Sequence, residues 1–246
     1  MPDQTVAFDH LIHWVDDIDA TTTAYNDLGL KARASLTMPG FRNAAWGIDH
    51  ERYVELATVE DWEAVTGSKY ARALELLKPS IDTLSGPGLL TFAVDVPDVH
   101  ATAARLREAG HDVVESQVRF EDKNIGFTEV FLRDAPPYFP FFITYDPPRA
   151  ELARMRAAHR AAEGAVHDSR GPDLAAILVR SIDPTAHARR LAQLLGCTAA
   201  GATVPLNGAE IRFELGTSTA LHGIAVRGLD ASTEATQIAG MTVRFE

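Results

Sequence analysis

The sequence predicts an α+β fold assembled from tandem βαβββ units, and three observations carry that expectation. Gly29, Gly110 and Gly196 each close a helix-like stretch, the position where a left-handed residue ends a helix. Nineteen residues before each glycine, at His10, Thr91 and Ile177, lies an apolar segment of strand length. Seven residues after the first two of these stand Asp17 and Asp98, acidic residues suited to cap the helix that follows.

The first unit opens with Phe8–Val15, continues through a helix over Ile18–Leu28, and ends in the strands Ala32–Leu36, Ala44–Ile48 and Tyr53–Ala57. Turn signals at Pro39-Gly40 and Asp49–Glu51 separate those strands. A helix over Asp61–Leu77, stopped by Pro79, joins it to the second unit. That unit runs Leu89–Val96, a helix Val99–Ala109, then strands Val113–Phe120, Thr128–Leu132 and Phe141–Tyr145. Pro148–Ala162 reads as a solvated bridging helix and Gly164–Gly171 as a linker. A third unit begins near residue 172, with its helix entering at Pro184 and a hairpin at Asn207-Gly208 joining Ala202–Leu206 to Glu210–Leu215. Its ending resembles that of the first unit, which matches Glu214 to Glu55. A shortened fourth unit spans Gly223 to Phe245, with a helix of about three turns near Ser232–Ile238. The expected division is therefore 1–148, 149–171 and 172–246, one pair of units followed by one and a half more.

Composition narrows the function. With 23 Lys+Arg against 34 Asp+Glu in 246 residues, the formal charge is −11, which argues against a nucleic-acid groove or an anionic membrane as partner. The single cysteine, Cys197, cannot form an intrachain disulfide, and the start of the chain has no basic stretch followed by an apolar one. A cytoplasmic protein is the resulting expectation. Phosphate-loop, serine-hydrolase and zinc-ribbon motifs are absent.

Paired units that open with Phe8-Asp9-His10-Leu11-Ile12 and close with Tyr53-Val54-Glu55-Leu56 resemble the vicinal oxygen chelate superfamily, and within it the glyoxalase-like domain proteins. The resemblance implies that two units curl a mixed sheet into an open cup. It also implies a divalent metal whose ligands come from the first and last strands of each unit. Carried over, those positions are His10 and Glu55 in unit one, and Thr91 and Thr144 in unit two. Threonine is a poor ligand, so half of the implied metal site is missing. Glu129, His13 and His50 are the nearest candidates for a third ligand, and strand parity turns His13 away from the cup.

Read for their own chemistry, His10 and Glu55 form a candidate catalytic dyad, with the carboxylate fixing the imidazole tautomer for proton abstraction next to a carbonyl. Thr91, Thr144, Asn43 and Glu129 are expected to contact the ligand, and Trp46, Phe142 and Tyr145 to form apolar walls. Trp46 and Phe142 read most economically as core or rim aromatics, with the cup wall as the functional alternative. The resemblance implies a glyoxalase-like lyase or isomerase acting on a small oxygenated metabolite. The other reading is a metal-free binding or sequestration protein using the same cup. The second half is expected to repeat or pack against the first cup, or to form a homodimer.

Overall fold

The computed structural model describes residues 6–162, 171–229 and 234–246. The first unit comprises β1 (Ala7–Trp14), α1 (Ile18–Asp27), β2 (Ala32–Met38), β3 (Phe41–Gly47) and β4 (Tyr53–Val59). After α2 (Trp62–Val65) and α3 (Ala71–Thr83), the second comprises β5 (Gly88–Asp95), α4 (Val99–Glu108), β6 (Val113–Phe120), β7 (Ile125–Leu132) and β8 (Phe141–Asp146). A helix, α5 (Arg149–Ala162), leads to β9 (Asp173–Ser181), α6 (Pro184–Leu195), β10 (Thr203–Leu206) and β11 (Ala209–Leu215). The chain ends in β12 (Ala220–Arg227), β13 (Thr236–Ile238) and β14 (Met241–Phe245).

The three main helices start and stop alike. Asp17, Asp98 and Asp183 accept hydrogen bonds from Ala20, Ala101 and Ala186 at 2.9, 2.9 and 3.1 Å, satisfying donors that the helix leaves over. Gly29, Gly110 and Gly196 then take φ of +82°, +90° and +70°, the left-handed conformation that ends each helix without a Cβ clash.

The first two units share an eight-stranded sheet ordered β2-β3-β4-β1-β5-β8-β7-β6, in which their first strands pair antiparallel at the centre. His10 faces Ala93 and Ile12 faces Thr91, so an offset of 81 residues exchanges the two pairs and makes His10 and Thr91 equivalent. The register slips at Asp9 on β1 and at Leu90 on β5, which are themselves equivalent positions. Each slip is a β-bulge, and it gives two successive residues to one face.

Strands β9 to β14 form a six-stranded sheet ordered β10-β11-β9-β12-β14-β13. Its two units are reduced: the third has two strands after α6, and the fourth shows no helix among the described residues. Thr236–Ile238, predicted as the end of a helix, is instead strand β13, paired with β14 across a tight turn at Ala239-Gly240. That pairing satisfies the backbone directly, whereas so short a helix would bear its nucleation cost alone. The earlier part of that helix, and all of the expected linker except Gly171, lie outside the described residues.

The connection between units also differs from expectation. It breaks near Gly67 into α2 and α3, and α3 continues through Pro79 to Thr83. The carbonyl that Pro79 leaves without its helical partner belongs to Glu75, an exposed residue on the solvent side of the helix. Ala73 and Leu74 are buried on the inner side of α3.

One apolar core runs from Phe8 to Val243, joining α1, α4 and α6 to both sheets, and a second fills the concave side of the first sheet beneath α2 and α3. No helix among the described residues is long and apolar enough to cross a membrane. His13 lies wholly inside the first core, where Nε2 donates to the Ala239 carbonyl at 2.8 Å and the Tyr25 hydroxyl lies 3.0 Å from Nδ1. Burial lowers its pKa from 6.5 to about 4, and the Ala239 bond opposes the shift. The unfolded chain therefore binds the proton first as pH falls. We predict a stability loss of up to roughly 3 kcal/mol between pH 6.5 and 4, largely absent in His13→Gln, read by urea denaturation across that range.

Candidate active site

The concave face of the first sheet collects polar groups on an otherwise apolar floor. His10 and Glu55 meet there: Nε2 lies 3.8 Å from Oε2. The Asn43 amide donates to Glu55 Oε1 at 2.5 Å, and its own oxygen accepts from the Leu36 backbone at 2.7 Å, which fixes the amide's orientation. On its other nitrogen His10 bonds Asp9 Oδ1 at 2.6 Å. With Nδ1–H donating to that carboxylate, the Nε2 lone pair faces Glu55. Asp9 reaches this face because the bulge turns it to the same side as His10, and the Tyr145 hydroxyl donates to it at 2.8 Å.

Rings hold the imidazole in place. Tyr53 stacks on His10 with centroids 4.6 Å apart, and Phe141 meets it edge-on at 5.4 Å. Arg149, at the start of α5, lies with its guanidinium 3.5 Å from Asp9, 3.8 Å from Glu51 and 3.8 Å from Asp95. Burial pushes the Asp95 carboxyl up to about 6, with Arg149 opposing and Asp9 and Glu51 adding to the rise.

Glu129 comes from β7, opposite Ile143, and is buried. Burial, and then the nearby carboxylates of Glu55 and Asp9, push its pKa from 4.5 up to about 8. Its Oε2 has no hydrogen-bond partner among the described residues. A neutral carboxyl with an uncommitted oxygen is a proton donor awaiting an acceptor.

Several expected contacts fall elsewhere. Trp46 and Phe142 are buried in the core on the opposite face, between the sheet and its helices, because their strand parity is that of Ala44 and Val130. Thr144 likewise faces away from Tyr145 and donates to the Val96 carbonyl at 2.5 Å. The equivalence with Glu55 was misplaced by three residues: Glu55 sits beside Ile12 and Phe141 beside Ala93, so Phe141 is its counterpart. Thr91 shares the face of Ala93 and lies 3.5 Å from the Phe139 carbonyl. In the second sheet the position of Glu55 is taken by Arg212, opposite Leu178, rather than by Glu214, and that of His10 by Ala176 rather than by Ile177. Asp9, Tyr53, Phe141 and Arg149 were not anticipated; a bulge leaves no mark in strand alternation, and Arg149 depends on where α5 packs.

The four positions where the resemblance implies metal ligands thus hold His10, Glu55, Thr91 and Phe141. A phenyl ring supplies no donor, so this set does not fit a four-ligand site. Among the described residues no group of three His, Cys, Asp or Glu is arranged to hold a metal ion.

A family model described as glyoxalase-like domain matches residues 8–195. A crystal structure of a hypothetical protein from Staphylococcus aureus aligns over 98% of this chain and 99% of its own, with 17% identity and a TM-score of 0.72. The Mn(II)-bound glyoxalase from Novosphingobium aromaticivorans aligns over 91% of this chain and 66% of its own, with 14% identity and a TM-score of 0.52. At these identities both likenesses are of fold. No curated protein matches.

Proposed function

Because the chain belongs to the glyoxalase-like domain family, we propose that it is an enzyme that moves a proton to or from a carbon next to a carbonyl in a small oxygenated metabolite. The observation that carries this reading is Glu129, buried on the same concave face as Glu55 with its Oε2 unpartnered among the described residues, where burial raises its pKa and favours the protonated form. Chemistry at such a carbon needs a base for the C–H proton and a donor for the developing enolate oxygen. Glu55 is the base: Asn43 holds one of its oxygens and leaves the other facing His10. His10 Nε2 then accepts the abstracted proton from Glu55, while Asp9 stabilises the imidazolium through Nδ1. Glu129 offers its O–H to the carbonyl oxygen. Arg149 and Tyr145 hold Asp9, and therefore His10, in register.

The test is solvent exchange. Incubated in deuterium oxide with a panel of 2-oxo acids, 2-hydroxy ketones and acyl thioesters, the protein should exchange the α-proton of one class. His10→Ala and Glu55→Gln should each cut that exchange about 10²-fold or more with little change in thermal stability. Exchange that persists at the wild-type rate in Glu55→Gln would sink the assignment. Ligand binding without exchange in any class would favour a binding protein instead.

A further inference from the structure

The strand register places two rows of residues across the concave face of unit one. Glu55 on β4 is followed outward by Ala45 on β3 and Arg33 on β2. In the adjacent row Tyr53, which stacks on His10, is followed by Gly47. Two arginines of α5 reach these rows. Arg160 lies so tightly over Gly47 that a Cβ there would meet the guanidinium at 2.5 Å. One turn earlier Arg156 donates to the His50 carbonyl at 3.2 Å and lies over the Tyr53 ring, 5.8 Å from its centre. Burial, and then the charges of Arg33 and Arg156, hold the Arg160 pKa below its ordinary value; Asp49 opposes this but is itself bound to Arg52 at 2.6 Å. Three guanidinium groups gathered in a chain of net charge −11 repel one another, and an oxyanion between them would relieve that repulsion. Between Arg33 and Glu55 the concave face carries only the small, half-buried Ala45, whereas its neighbours Ala44 and Trp46 are sealed on the other side.

We propose that Arg33, Arg156 and Arg160 form an oxyanion subsite that holds a carboxylate or phosphate group of the substrate at the rim of the cup. The rest of the molecule then lies across Ala45 to reach Glu55. Arg33 stands two strand spacings from Glu55, roughly 10 Å. The substrate is accordingly elongated, with its anionic group about that distance from the reacting carbon. This distance rests on the reading of Glu55 as the reacting centre; the subsite itself does not.

Isothermal titration of the full chain with inorganic pyrophosphate, and separately with glutarate, tests the subsite and distinguishes phosphate from carboxylate. At least one should bind saturably, and more weakly as salt rises. Arg160→Gln and Arg33→Gln should each raise its Kd by about tenfold or more. Gly47→Ala keeps all three charges but displaces Arg160, and should weaken binding as well. His10→Ala should leave anion binding unchanged, so loss of exchange activity with retained anion binding would separate the two sites. The subsite is overturned if neither anion binds the wild-type protein, or if the arginine variants bind as well as wild type.

Discussion

Glu129→Gln is expected to slow the α-proton exchange by 10²–10⁴-fold while stabilising the fold at neutral and alkaline pH. The rate loss follows from removing the proton donor and leaving an amide of the same shape. The stability gain follows from linkage. In the folded state Glu129 titrates at about 8, against 4.5 as the ordinary value. Between those values the folded protein holds a proton that the unfolded chain releases. Its contribution to stability is complete below pH 4.5 and lost as pH rises through 8, a swing of about 5 kcal/mol at most. Glutamine carries no such dependence. Urea denaturation of both proteins at pH 5 and pH 8.5 should therefore show the variant gaining on wild type at the higher pH. A variant with the wild-type rate, or with an unchanged pH dependence, would remove Glu129 from the mechanism.

The largest stability loss from a single methyl group is expected at Gly240. Its φ of +77° disfavours any side chain, and a Cβ there would lie 1.9 Å from the Pro87 carbonyl oxygen. Backbone strain and overlap together should cost Gly240→Ala roughly 3 kcal/mol or more. The damage should also spread, because the neighbouring Ala239 carbonyl receives the His13 hydrogen bond that ties the second sheet to the first. Gly110→Ala is the control: φ there is +90°, yet nothing lies within 4 Å of the added carbon. It should lose only about 1 kcal/mol. Equal losses in the two variants would show that the contact with Pro87 is not tight.

Fold and site were legible to different degrees, for physical reasons. Helix boundaries were written in Asp17, Asp98 and the closing glycines, because capping and left-handed ends demand particular residues at particular offsets. His10 and Glu55 were found because strand parity and repeat spacing both placed them inward. Thr144 was misplaced because no residue marks the register of β8 against β5; that is set by packing of the two strands. Trp46 and Phe142 were drawn towards the cup by their size, but a sheet buried on both faces lines each with large apolar residues, and composition does not say which is which. Asp9 was invisible for the opposite reason. Simple alternation puts it opposite His10, and only the bulge brings the two together.

That bulge has a consequence for how such a site is acquired and redesigned. A doubled residue is a slack point in the ladder: its side chain can change from apolar to charged without shifting the register of the residues on either side. Unit one has used its slack point to bring in a carboxylate behind the imidazole. Unit two has the same slack point at Leu90 and has left it greasy. Leu90 is therefore where an engineer can place a polar group next to Thr91 with the least disturbance to the strand register, giving unit two a first-strand group to set beside Glu129.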